Sequence, residues 1–293
     1  MATTRPTPDL GLFLTPEAAS YPDLLRQVDA AERGGLDLIG IQDHPYQARF
    51  LDTFALIATL LAKTERLRFL PDVASLPLRP PALLAKQAAS LDVMSGGRFE
   101  LGLGAGAFWE GVAAMGGPVR TPGESVDALA EAIAIVRAAW SERSVRFHGD
   151  HYTVDGFRPG PPPAHEIGIW IGAIKPRMLR LTGRLADGWL PSSSYVPPSA
   201  VPAMTSEIDA AAERAGRDPA AIRRVYNVGG EIADGPVRGL LQGPPEHWVQ
   251  TLSAFGADLG FDGFLFWPSG GDTVEQIERF AAEVAPAVRA AAA

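Results

Sequence analysis

The chain contains no cysteine in 293 residues. That absence removes disulfides, thiolate nucleophiles and thiolate metal ligands together. Basic residues are outnumbered, with 26 Lys and Arg against 34 Asp and Glu for a net charge of −8, and they form no block able to track a phosphate backbone. A nucleic-acid partner is therefore not expected. Nor does any run approach the roughly 18 to 20 apolar residues that a membrane span needs. The opening "MATTRPTPDLGLFL" is too short in apolar residues for a signal h-region. A soluble, cytoplasmic protein without a membrane partner is the expectation.

What the chain does have is alternation. Strand-like runs at 9–14, 37–42, 67–73, 98–103, 167–171, 188–191, 224–230 and 262–267 are separated by helical periodicity. The helical stripes include Phe54, Ile57, Ala58 and Leu61; Leu129, Ile133, Val136 and Trp140; and Ile277, Phe280, Ala281 and Val284. Eight strands, each followed by a helix, fit a (β/α)8 TIM barrel better than an open doubly wound sheet. We read residues 1–293 as one such domain. Residues 144–165 interrupt the rhythm as a hairpin around Gly149-Asp150 and a Pro-rich connector, an insertion between the fourth helix and the fifth strand. The Gly/Pro-rich stretch 229–247 reads as a loop and a candidate lid after strand seven.

Barrel strands of this kind deliver their C-terminal residues to the mouth where chemistry occurs. The run "LDLIGIQDHPY" ends in Asp43 and His44, which serve either as a turn cap and a loop residue or as groups acting on a ligand. In "RFELGLGAG" the strand ends in Gly102, Gly104 and Gly106, which permit close approach to the backbone but lack the dinucleotide fingerprint spacing. In "IWIGAIKPRMLR", Gly172 and Ala173 leave a strand and Lys175, Pro176 and Arg177 open a helix. That end is either an anion site or a pair of solvated surface charges. His148 and His151 lie on a hairpin and do not converge in the manner of helical ligands, so no metal site is expected.

Together, "DLGLFL", "DHP", "LDVMSGGRFELGLGAG", "GAIKPRMLRLTGRLADGW" and the C-terminal "DGFLFW" resemble the bacterial luciferase-like superfamily. Within it they look most like the branch that uses the deazaflavin coenzyme F420. The resemblance implies an oxidoreductase that moves a hydride to or from a small organic substrate. It implies further that Asp43 and His44 approach cofactor and substrate, with His44 in a proton-transfer or orienting role. Val73 would form a bulge beneath the ring, with a cis Asp72-Val73 peptide. Gly104, Ala105 and Gly106 would line the ring, and Gly172, Ala173, Lys175, Pro176 and Arg177 would hold the phosphate tail. Phe13, Tyr46, Phe108, Trp109 and Trp267 either form the substrate pocket or pack the barrel rim. Members of the superfamily are often homodimers. Three other readings stand beside this one: an FMN-dependent monooxygenase fed by a separate flavin reductase, a barrel hydrolase using Asp43 and His44 without a redox cofactor, and a non-catalytic flavin binder.

Overall fold

The computed structural model describes residues 7–292. The apolar runs pair side by side into one sheet of ten strands, and among the described residues these strands pair parallel. Eight positions form the barrel: β1 (Asp9–Leu14), β2 (Leu38–Ile41), β3 (Arg68–Pro71), β5 (Leu101–Gly104), β8 (Ile169–Ile171), β9 (Gly188–Trp189), β10 (Arg223–Ile232) and β12 (Gly263–Pro268). The short β4 (Ala74–Ser75) continues β3, and β11 (Gln242–Gly243) is appended to the end of β10. The ring closes where Phe69 bridges Phe99 and Ala74 pairs with Leu103.

That closure contains an irregularity. From Phe69 to Ala74 the third barrel strand advances five residues while its partner advances four, from Phe99 to Leu103. One extra residue is therefore accommodated as a bulge, and the Asp72-Val73 peptide within it is cis. The expected strand 67–73 accordingly splits into β3 and β4, because the bulge interrupts the ladder.

Alternation along each strand separates two cores. Leu10, Leu12, Ile39, Ile41, Phe264 and Phe266 join the layer shared with the helices, whereas Phe13, Leu38, Leu70, Trp170, Leu190, Val225 and Leu265 fill the barrel interior. The covering helices include α1 (Tyr21–Arg33), α2 (Thr53–Leu61), α3 (Pro81–Ser95), α4 (Trp109–Ala114), α5 (Pro122–Ser141), α6 (Pro176–Leu185), α7 (Val201–Arg214), α8 (Pro245–Leu259), α9 (Thr273–Arg279) and α10 (Ala285–Ala292). The stripe from Ile277 to Val284 is not one α-helix: a π-helical turn over Phe280–Val284 joins α9 to α10.

Helix α5 starts where chemistry dictates. The Thr121 hydroxyl accepts the Glu124 N–H at 3.3 Å, and the Glu124 carboxylate accepts the Thr121 N–H at 2.7 Å, a reciprocal capping box. Thr121→Ala should lower stability by about 1 kcal/mol, a loss readable as a shifted urea midpoint with an unchanged slope.

The interruption after α5 is a two-stranded antiparallel hairpin, β6 (Val145–His148) with β7 (Thr153–Phe157). The α5 residue Glu131 holds its turn by accepting the N–H groups of Asp150, His151 and Tyr152 at 2.8, 3.0 and 3.0 Å. The connector behind it is tied to the barrel base, where buried Asp92 accepts from the Ala164 and His165 N–H groups and meets His165 Nδ1 at 2.6 Å.

The expected loop 229–247 is shorter than its composition suggests. Residues 229–232 extend β10, and Glu231 and Ile232 pair with Gln242 and Gly243. Gly230 permits this, since a Cβ there would lie 2.1 Å from the Leu241 carbonyl oxygen and 2.6 Å from the Trp248 ring. A glycine pair that looks like a breaker instead admits a close neighbour.

Candidate active site

The bulge sets the floor of the mouth. Its Val73 side chain lies between two glycine strand ends: a Cβ on Gly104 would come within 2.7 Å of Val73 Cγ2, and one on Gly172 within 3.3 Å. Any side chain larger than hydrogen would crowd this shelf, so Val73, Gly104 and Gly172 form one small apolar platform. Ala105 is half-buried beside it, whereas Ala173 is buried and its carbonyl accepts from Trp189 Nε1 at 2.9 Å. Gly106 has φ +109°, and a Cβ there would meet Pro77 at 2.5 Å and the Trp109 ring at 2.8 Å. Trp109 thus packs across Gly106.

His44 is half-buried on one side of the mouth. Its Nδ1 is 2.7 Å from the Tyr46 hydroxyl, and its ring meets Phe108 edge-on at 5.6 Å between centroids. Burial lowers its pKa, with the charge of Asp43 pulling the other way. The imidazole is therefore neutral at pH 7. Burial, reinforced by Asp43, raises the Tyr46 phenol to about 12, so it stays protonated. Phe108 is 60% exposed and adopts a left-handed φ of 53°, unusual for a side chain with a Cβ.

Asp43 is placed differently from its neighbour. Leu38 and Gly40 turn into the barrel, so the alternate residues Ile39, Ile41 and Asp43 turn outward. There Asp43 is 2% exposed and accepts the Ser75 N–H at 2.8 Å, Arg79 Nε at 2.7 Å and Arg79 Nη2 at 2.6 Å. Arg79 also bonds Asp52 at 2.8 Å and stacks on Phe54, 4.2 Å from its centroid. Nothing local in "PLRPP" marks Arg79, because its partner lies 36 residues away.

Facing inward instead, Asp72 meets Asn227, whose Nδ2 donates to Asp72 Oδ2 at 2.9 Å and to Ser192 Oγ at 3.0 Å. Asn227 did carry a signal, as a lone amide in the apolar strand "RVYNV".

At the mouth's far side, Lys175 precedes α6, Pro176 opens it, and both are exposed. Among the described residues Lys175 has no ion-pair partner, whereas Arg177 pairs with Asp127 at 2.5 Å. The two cations expected to act together are thus in different states.

A model of the luciferase-like monooxygenase family matches residues 7–236. The chain belongs to that family. It is 30% identical over 216 residues to the 5,10-methylenetetrahydromethanopterin reductase of Archaeoglobus fulgidus, spanning 71% of this chain and 59% of that one. Identity to the F420-dependent hydroxymycolic acid dehydrogenase of Mycobacterium tuberculosis is 30% over 227 residues, 73% of this chain and 61% of the relative. The chain thus spans about 60% of the length of these curated relatives. Its fold superposes on an F420-dependent secondary alcohol dehydrogenase, solved with an F420-acetone adduct, with a TM-score of 0.85 and 20% identity over 97% of this chain and 99% of that one.

In this luciferase-like barrel, Phe13 and Trp267 meet at 5.0 Å between centroids and wall a cavity of about 350 Å³ that Thr15 and Asp272 also line. They stand apart from the aromatic group of His44, Tyr46 and Phe108, so the five expected pocket residues divide into two walls, with Trp109 over Gly106. Among the described residues, no group of three or more His, Asp or Glu side chains is placed to hold a metal ion.

Proposed function

We propose that this chain is a deazaflavin (coenzyme F420)-dependent oxidoreductase that moves a hydride to or from a small, largely apolar organic substrate. The observation that carries the reading is the Val73 platform between Gly104 and Gly172. A flat apolar shelf at the strand ends suits one face of a planar ring, and the cofactor-dependent relatives support the ring's identity. Lys175, exposed before α6 without an ionic partner among the described residues, suits an anionic tail together with the helix N–H groups. Arg177 joins it only by leaving Asp127.

When bound, the cofactor supplies the hydride chemistry; the protein binds, orients and excludes water. Neutral His44 offers one ring nitrogen to Tyr46 and leaves the other for a ligand, so it orients a polar atom and relays a proton. Asp43 serves through position: locked by Arg79 and the Ser75 N–H, it fixes the loop from which His44 projects. Exposed Phe108 and Trp267 favour apolar substrate surface.

The family's monooxygenase description favours a second reading, in which reduced FMN from a separate reductase activates oxygen. Paired fluorescence titrations of the apoprotein with F420 and with FMN separate the two. Micromolar binding of the deazaflavin alone supports our proposal, preference for FMN with oxygen consumption selects the monooxygenase, and turnover without either cofactor selects a hydrolase. His44→Ala should lower turnover about 100-fold at saturating substrate and cofactor, the low end for a positioned proton-transfer group. Unchanged turnover would remove His44 from the mechanism.

A further inference from the structure

Two acids end neighbouring strands of this barrel, and the fold surrounds them in opposite ways. Asp43 turns outward and is held by a bidentate guanidinium. Asp72 turns inward and, among the described residues, forms no ion pair. Its surroundings are the apolar interior built from Phe13, Leu38, Leu70, Val225 and Leu265. Gly40 makes room for it, since a Cβ there would lie 2.9 Å from Asp72 Oδ2. The elements packed around the carboxyl present no charge: β2 offers Gly40, β10 offers Asn227 and the segment after β9 offers Ser192. Asn227 Oδ1 is itself buried without a hydrogen-bond partner, so the pair retains an unsatisfied acceptor. Part of the Asp72 surface nevertheless remains open.

We propose that Asp72 is a proton-exchanging residue of the mouth, entering the reaction as the neutral acid and carrying the proton that accompanies hydride movement. Neighbouring acids set in contrasting environments divide labour in this way, one remaining charged and the other exchanging its proton. In the reducing direction the Asp72 O–H bond breaks and its proton goes to the heteroatom of a substrate C=O or C=N bond. The carbon of that bond receives the hydride, two electrons with one hydrogen, from the reduced deazaflavin. Carboxylate, reduced substrate and oxidised cofactor remain, and the reverse reaction returns the proton. Burial raises the Asp72 carboxyl to about 7, with the Asn227 hydrogen bond opposing in part. His44, neutral at that pH, orients the ligand and relays the proton that Asp72 holds.

The hydride half rests on the oxidoreductase reading, whereas the protonation half does not, so the test has two arms. In the first, the cofactor-free protein labelled with ¹³C at aspartate carboxyls is titrated from pH 4 to 9 by NMR. One resonance should titrate near pH 7, vanish in Asp72→Asn and move upward in Asn227→Ala, which loses the amide donor. If every carboxyl titrates below about pH 5, as ordinary aspartates do, the proposal is overturned whichever cofactor binds. In the second, Asp72→Asn loaded with deazaflavin should bind it within about threefold of wild type, while kcat falls about 100-fold and loses its inflection near pH 7. A variant profile that retains that inflection overturns the catalytic assignment. Failure of the protein to bind any redox cofactor overturns the hydride half and leaves the NMR result to decide the protonation half.

Discussion

Arg79→Met should destabilise the protein by about 3 to 5 kcal/mol at pH 7, the range for removing one partner of a buried ion pair. The substitution keeps an apolar stem over the Phe54 ring but removes both guanidinium bonds to Asp43, which is 2% exposed. Only the Ser75 N–H would then remain to stabilise a buried carboxylate. The double variant Asp43→Leu/Arg79→Met should recover most of the loss, because the uncompensated charge, more than the missing attraction, dominates the cost. Urea unfolding of the two single variants and the double variant measures this coupling. A single-variant cost below about 1 kcal/mol would show that water reaches Asp43 and that the pair is not the anchor of the His44 loop.

Asp72→Asn is expected to do the opposite, raising stability at pH 8 by about 3 kcal/mol while changing little near pH 4. The wild-type carboxyl titrates at about 7 in the folded protein, against an ordinary 3.8, chiefly because it is buried. Between those values the unfolded chain has released a proton that the folded chain keeps. Each pH unit of rise therefore costs the folded state about 1.4 kcal/mol. The favourable contribution is complete below the ordinary value, declines as pH rises and is gone above about 7. The full interval corresponds to a ceiling of about 4 kcal/mol, reduced because part of the side chain meets water. Asparagine keeps an acceptor for Asn227 and never ionises. The decisive observation is the difference between the two Tm curves: a gap constant from pH 4 to 8 would mean that Asp72 binds its proton alike in the folded and the unfolded chain.

The two predictions concern acids the primary structure presents alike. Both follow an apolar run, and both read as residues bound for the mouth. Asp43 sits one position out of phase with the inward residues Leu38 and Gly40, and Asp72 is in phase with Leu70. Phase along a strand is legible only once the strand's inward face is known. The partners that decide their charge come from residues 36 and 155 positions away in sequence, a separation that no local pattern encodes. The expected anion site shows the same limit: Lys175 and Arg177 are legible as a cationic helix opening, but the pairing of Arg177 with Asp127, 50 residues away, is not.

The sequence by itself indicated the barrel and its order, because eight apolar strand runs with helical stripes between them suit a closed parallel sheet covered by helices better than an open doubly wound one. It also determined the glycine strand ends, whose small side chains leave room for Val73. Tertiary structure alone decided the lengths of β3 and β10, and which acid faces a guanidinium and which an amide. Those outcomes depend on register and long-range contact, and a carboxyl's charge follows from its neighbours in space rather than in the chain.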